Sequence, residues 1–103
     1  MIGGWLLVSD PAERQVLTEL AASPDPNRRR TAITATFWLA RHGETTDALA
    51  IADRLVDDPE VLVRNSVAVA LREVGRVDAN QRDAFLARHA ARVSAPVRRV
   101  ALS

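Results

Sequence analysis

The sequence RRRTAI at residues 28–33 decides the fold class, because two later segments repeat its pattern. Arg30 precedes Arg64 by 34 positions (64 − 30), and Arg64 precedes Arg99 by 35 (99 − 64). Each of these arginines comes a few residues after a proline and leads into small and apolar residues. Recurrence at a period of roughly 20 to 50 residues is typical of stacked helical hairpins.

Proline and glycine mark where the helices of these hairpins begin and end. Asp25-Pro26 and Asp58-Pro59 each place an N-cap acid before a proline at the first helical position. Gly43 and Gly75 stand where helix ends favour a left-handed residue. No segment alternates long enough to predict a strand. The predicted helices cover residues 11–22, 26–42, 45–57, 59–74, 79–92 and 96–102.

We therefore predict a single all-α domain over residues 1–103, a HEAT-like repeat α-solenoid of about three helical hairpins. The 48% hydrophobic and 26% charged composition is that of an ordinary globular domain. The chain has no cysteine, which excludes disulfides and thiolate metal sites, and its two histidines have no ligand-spaced partner. We expect no metal and no cofactor. The longest apolar run, residues 5–8, is too short to span a bilayer, and we expect a cytoplasmic protein.

The net charge of +1 hides an uneven distribution, and all 14 basic residues are arginine. Before Pro59 there are six arginines and nine acids, a balance of −3; from Glu60 onward there are eight and four, a balance of +4. The basic second half is a weak indication of a polyanionic partner.

The arginines at the start of the second predicted helix, residues 28–30, oppose the helix dipole there. Their placement is favourable if an anion binds at this helix end, where guanidinium and backbone N–H groups can share it. An equally good alternative is ion pairing with Asp25, Asp57 or Asp58. Both interpretations stay open at this point.

Arginines also follow one face of the predicted inner helices. Arg30, Thr34, Trp38 and Arg41 share a face of the second helix, and Arg72 is placed on the same side of the fourth. Such a stripe would line the concave surface of a solenoid and could follow a nucleic-acid backbone. We interpret Trp38 as a packing residue rather than a base-stacking platform.

Several motifs closely resemble the AlkD-like DNA alkylation repair family. They are RRTAI at residues 29–33, FWLAR at 37–41, the linking segment 50–59, LREVG at 71–75 and RVAL at 99–102. The resemblance covers nearly the whole chain in order. It implies HEAT-like repeat DNA glycosylases that excise alkylated purines while double-stranded DNA lies in a concave basic groove, without sequence preference.

The resemblance also implies roles for particular residues. Arg30 and Arg72 match groove arginines that hold DNA phosphates, and we add Arg29 and Arg41 as further phosphate-binding candidates. Val69 stands at a lesion-facing position where the family has an aromatic residue.

The family's catalytic aspartate belongs to a motif upstream of the Gly3-Gly4-Trp5 equivalent, so we assign no catalytic residue. We expect a truncated form that resembles the C-terminal portion of a DNA glycosylase and keeps its DNA-binding groove. Whether it acts as an enzyme stays open. The apolar residues near the start would then form an exposed edge for self-association or for a missing N-terminal portion: Ile2, Trp5, Leu6 and Leu7. The alternatives are a HEAT-repeat protein-interaction module and an inactive gene remnant.

Overall fold

The computed structural model describes residues 11–103, and every regular element in that range is an α-helix. The all-α prediction is therefore confirmed for this part of the chain. The predicted apolar edge at residues 2–7 lies outside the described residues. In chain order the helices are α1 (Pro11–Ala21), α2 (Pro26–Arg41), α3 (Thr46–Leu55), α4 (Val61–Val77), α5 (Ala79–Arg88) and α6 (Ala95–Ala101).

Three of these helices begin at a side chain that caps them locally. The Asp25 carboxylate accepts the Asn27 backbone N–H at 2.9 Å, one residue after Pro26 opens α2. Asp78 accepts from the backbone N–H groups of Asn80 and Gln81 at the start of α5. Ser94 does the same for α6. Such caps satisfy donors that have no partner inside the helix.

The end of α2 is fixed by Gly43, as the sequence predicts. Its φ of +90° lies in the left-handed region that favours glycine. The Gly43 N–H donates to the Ala40 carbonyl at 3.0 Å, and the Glu44 N–H donates to the Leu39 carbonyl at 2.9 Å. This pair of bonds is the Schellman arrangement, which closes the last turn of a helix.

The predicted start of α4 at Pro59 is wrong, because Asp58 does not cap that helix. Its carboxylate accepts the Glu60 backbone N–H at 2.9 Å and binds Arg29 from α2. Residues 58–60 lie outside the helix, and α4 begins at Val61.

The predicted helix end at Gly75 is also wrong, since α4 continues to Val77. A Cβ atom on Gly75 would lie 2.5 Å from Nη1 and 2.7 Å from Cδ of Arg82, which packs over it from α5. Gly75 thus leaves room for the Arg82 side chain over α4 and does not form a left-handed turn. The prediction for α5 was too long, because residues 89–92 form a turn.

The central helix of the fold is α4, which packs against α2, α3, α5 and α6. The helices α2, α4 and α6 lie in a row, and α1, α3 and α5 pack against that row. Ile33, Leu39 and Leu71 are among the largest fully buried side chains between them. The part of the chain described here contains no helix that is long and apolar enough to cross a membrane.

Candidate nucleic-acid interface

An open groove of about 260 Å³ lies between α2 and α4. It is lined by two residues that the sequence analysis selected for different roles, the phosphate-binding candidate Arg30 and the lesion-facing position Val69. Its lining combines one cation, small polar groups and apolar side chains. The lining residues are Arg30, Thr34, Phe37, Leu62, Asn65, Ser66 and Val69.

The two helices run in the same direction along this groove. Arg30, near the start of α2, shares the groove with Leu62 at the start of α4. Arg41, at the end of α2, contacts Glu73 near the end of α4. Arg41 follows Arg30 by 11 positions (41 − 30), which corresponds to about 16 Å along a helix axis. This face therefore carries arginines at both of its ends.

At the first end, the side chain of Arg30 is exposed. Within residues 11–103 its guanidinium group forms no ion pair and no hydrogen bond. Its positive charge is therefore directed to solvent beside the groove, where a ligand can reach it.

Arg72 lies three residues after Val69 on α4, so the two side chains share a face of that helix. The Arg72 Nε atom is buried and has no acceptor in the part of the chain that the structure describes. A buried donor without an acceptor ordinarily costs about 1–3 kcal/mol. The Arg72 side chain as a whole is only half-buried, so a ligand could reach its exposed part but not the buried Nε atom.

Arg29 differs from its neighbour Arg30 because its guanidinium group is fully engaged. Nε and Nη2 donate to the two oxygens of Asp58 at 2.7 and 3.2 Å, and Nη1 donates to the Ser23 carbonyl at 2.9 Å. The hydrogen bond to Asp58 raises the pKa of Arg29 above its usual value. This geometry favours the ion-pairing alternative over a phosphate contact for Arg29.

Arg41 meets a buried carboxylate, Glu73, whose side chain is only 3% exposed. Glu73 accepts from Arg41 Nε at 3.1 Å and from Arg76 Nη1 at 3.3 Å. Both arginine side chains remain more than half exposed. Two cations share one anion here, so a positive charge remains at this end of the face.

Sequence reasoning missed Arg76 and Phe37. Arg76 stands four residues after Arg72, a helical spacing that could have indicated a shared face. Phe37, rather than Trp38, lines the groove. Trp38 is 37% exposed, and its ring lies beside the His42 ring at a centroid distance of 4.0 Å.

Comparison with known protein families gives a match over residues 1–103 to the model described as DNA alkylation repair enzyme. Comparisons with curated proteins and with solved structures gave no match. The family match spans the whole length of the chain, including both helices that line the groove. The chain therefore belongs to the DNA alkylation repair enzyme family.

Proposed function

We propose that this chain binds double-stranded DNA through backbone phosphates along the face formed by α2 and α4, in the manner of a DNA glycosylase for alkylated purines. The observation that carries the proposal is the pair Arg30 and Arg72. Both lie on this face, and within residues 11–103 neither guanidinium group has an acceptor or a counter-ion. DNA supplies a regular row of such acceptors.

The row of α2, α4 and α6 supports a HEAT-like arrangement as the scaffold for this binding. We pair α1 with α2 and α3 with α4 as two hairpins, and α5 and α6 each pack on α4. In such a stack the second helix of each hairpin faces one side, and that side is the extended binding surface of repeat proteins. Arg30 and Arg72 both lie on second helices of this pairing.

Phosphate contacts alone give weak binding without sequence preference. Two to four contacts would place the dissociation constant at the weak end of non-specific binding, on the order of 10⁻⁴ M at physiological salt. The groove offers few groups for reading base edges, since the Thr34 and Ser66 hydroxyls already donate to backbone carbonyls of their own helices. The groove lining also includes one side-chain amide, that of Asn65.

We do not assign base excision to any of residues 11–103. The side chains that line the groove include no carboxylate that could stabilise a cationic sugar. Glu73, on the same helix, is bound by two arginines. We therefore propose that this part of the chain binds DNA, and we assign it no role in base excision.

The test is duplex binding by fluorescence anisotropy as salt is varied. Each phosphate contact contributes a slope of about −0.9 in a plot of log K against log salt, which is roughly an eightfold gain in affinity at about 0.1 M salt relative to 1 M. Arg30→Gln and Arg72→Gln should each lose about that factor and flatten the slope by about 0.9, equally for unrelated duplex sequences.

Arg88→Gln is the matched control. It removes the same charge from an exposed arginine, but Arg88 lies on α5 and not on the α2–α4 face. Its effect on affinity should be much smaller. The proposal fails if the Arg30→Gln, Arg72→Gln double variant binds as well as the wild type, or if Arg88→Gln loses as much. A protein-interaction module would show no salt-dependent duplex binding.

A further inference from the structure

Glu73 is the least exposed ionisable side chain near the α2–α4 face, and it joins the C-terminal ends of these two helices. Its oxygens accept from Nε of Arg41 on α2 and from Nη1 of Arg76 on α4. Buried ion pairs are often replaceable by apolar side chains without loss of stability. The burial of a carboxylate at this place is therefore not explained by stability alone.

The hydrogen bonds to Glu73 leave most of each guanidinium group available. Arg41 is held through Nε, and its two terminal nitrogens make no hydrogen bond within residues 11–103. Arg76 is held through one terminal nitrogen. The side chains of Arg41 and Arg76 are 56% and 64% exposed. A guanidinium fixed at one side with its terminal pair free is suited to bidentate binding of a phosphate.

Fixing the two arginines before a ligand arrives also has an energetic consequence. Long, exposed arginine side chains lose rotamer freedom when they bind an anion, and this loss weakens binding. Glu73 already restricts both side chains in the free protein. The arrangement is thus preorganised for an anion.

We propose that Arg41 and Arg76 form a clamp for a single phosphodiester group of DNA, and that Glu73 is the positioning residue that holds both arms of the clamp. The inference deepens the proposed function and rests on it. It assigns a role to Arg76 and to Glu73 beyond the separate phosphate contacts of Arg30 and Arg72.

The first test asks whether the two arginines bind one phosphate or two. Arg41→Gln, Arg76→Gln and the double variant are titrated with duplex DNA at several salt concentrations. Glutamine removes the charge but can still donate to Glu73, so the buried carboxylate is not left alone. A single clamp predicts that the double variant loses roughly eightfold in affinity and about 0.9 in salt slope, little more than either single variant. Additive losses that reach roughly 60-fold and about 1.8 in slope would show two separate contacts and overturn the clamp.

The second test separates positioning from charge. Glu73→Gln removes one negative charge, so electrostatics alone predicts tighter binding to DNA. Loss of the fixed clamp predicts weaker binding by several-fold, with an unchanged far-UV circular dichroism spectrum as the control for folding. Equal or tighter binding by this variant would overturn the positioning role.

Arg41→Lys keeps the test decisive if Glu73→Gln does not fold. Lysine retains the charge but has no pair of terminal nitrogens. The clamp predicts weaker binding with nearly the same salt slope, whereas a purely electrostatic contact predicts no change in affinity. If wild-type protein does not bind duplex DNA, the proposed function itself fails. If Arg30→Gln weakens binding but the Arg41, Arg76 and Glu73 variants do not, only the clamp fails.

Discussion

Replacing Leu71 by alanine should remove a large part of the stability of this domain. Leu71 is fully buried on α4, the helix that packs against four others. The three carbons lost contribute about 2.4 kcal/mol of transfer free energy at about 0.8 kcal/mol each. The cavity left behind adds to this, and measured Leu→Ala losses are about 2.7–5.0 kcal/mol. We expect a loss of about 3–5 kcal/mol from a total of about 5–15 kcal/mol.

The same helix supplies a matched control. Leu62 is 58% exposed, so Leu62→Ala makes the identical chemical change without opening a cavity. Its effect on the free energy of unfolding should stay within about 0.5 kcal/mol. Because both variants replace leucine by alanine within α4, a difference in helix propensity cannot explain a difference between their stabilities.

The assay is urea unfolding followed by circular dichroism, with linear extrapolation to water. Thermal unfolding should show a decrease in Tm of at least about 12 °C for Leu71→Ala, at about 4 °C or more per kcal/mol for a domain of this size. A loss below about 1.5 kcal/mol for Leu71→Ala, or equal losses for the two variants, would refute the placement of α4 at the centre of the core.

Two further predictions concern single local features. Gly43→Ala should destabilise the protein by about 1–2 kcal/mol, because alanine is strained at a φ of +90°. A steric clash does not contribute, since the added Cβ would meet nothing within 4 Å. Urea unfolding measures the change in stability, and increased stability would contradict the prediction. The second concerns Asp57, whose pKa is lowered from 3.8 by the hydrogen bond from Arg92. Arg92→Gln should return that pKa toward 3.8 in an NMR titration. Since the folded-state pKa is lowered, the stability that Arg92 adds through Asp57 is present above pH 3.8 and is lost as the pH falls through the folded-state pKa. An unchanged titration of Asp57 in the variant would show that Arg92 is not the cause.

The groove could be predicted only in part. The spacing of Arg30 and Arg72 placed both on inner helices, and the resemblance to the repair family added Val69. The contact of Arg41 with Glu73 joins residues 32 positions apart, and the carboxylate is shared with Arg76. No local pattern specifies which arginine meets a given acid, because helix packing brings these side chains together.

The sequence by itself determined the features that depend on neighbouring residues. The Asp25-Pro26 start of α2 and the Gly43 end of the same helix are closed by hydrogen bonds that reach at most five residues along the chain. Such bonds join groups that are already close to each other along the chain. They were therefore predictable without knowledge of the fold.

The tertiary structure decided the features in which distant residues compete with these local signals. Asp58-Pro59 has the same local pattern as Asp25-Pro26, yet Arg29, 29 positions away, binds the Asp58 carboxylate, and α4 begins later. Arg29 and Arg30 are chemically identical neighbours, but successive residues of a helix point about 100° apart. One side chain therefore meets the loop before α4 and binds Asp58, whereas the other remains exposed beside the groove. Only the packing of α2 on α4 determines which of the two arginines pairs with Asp58 and which remains exposed.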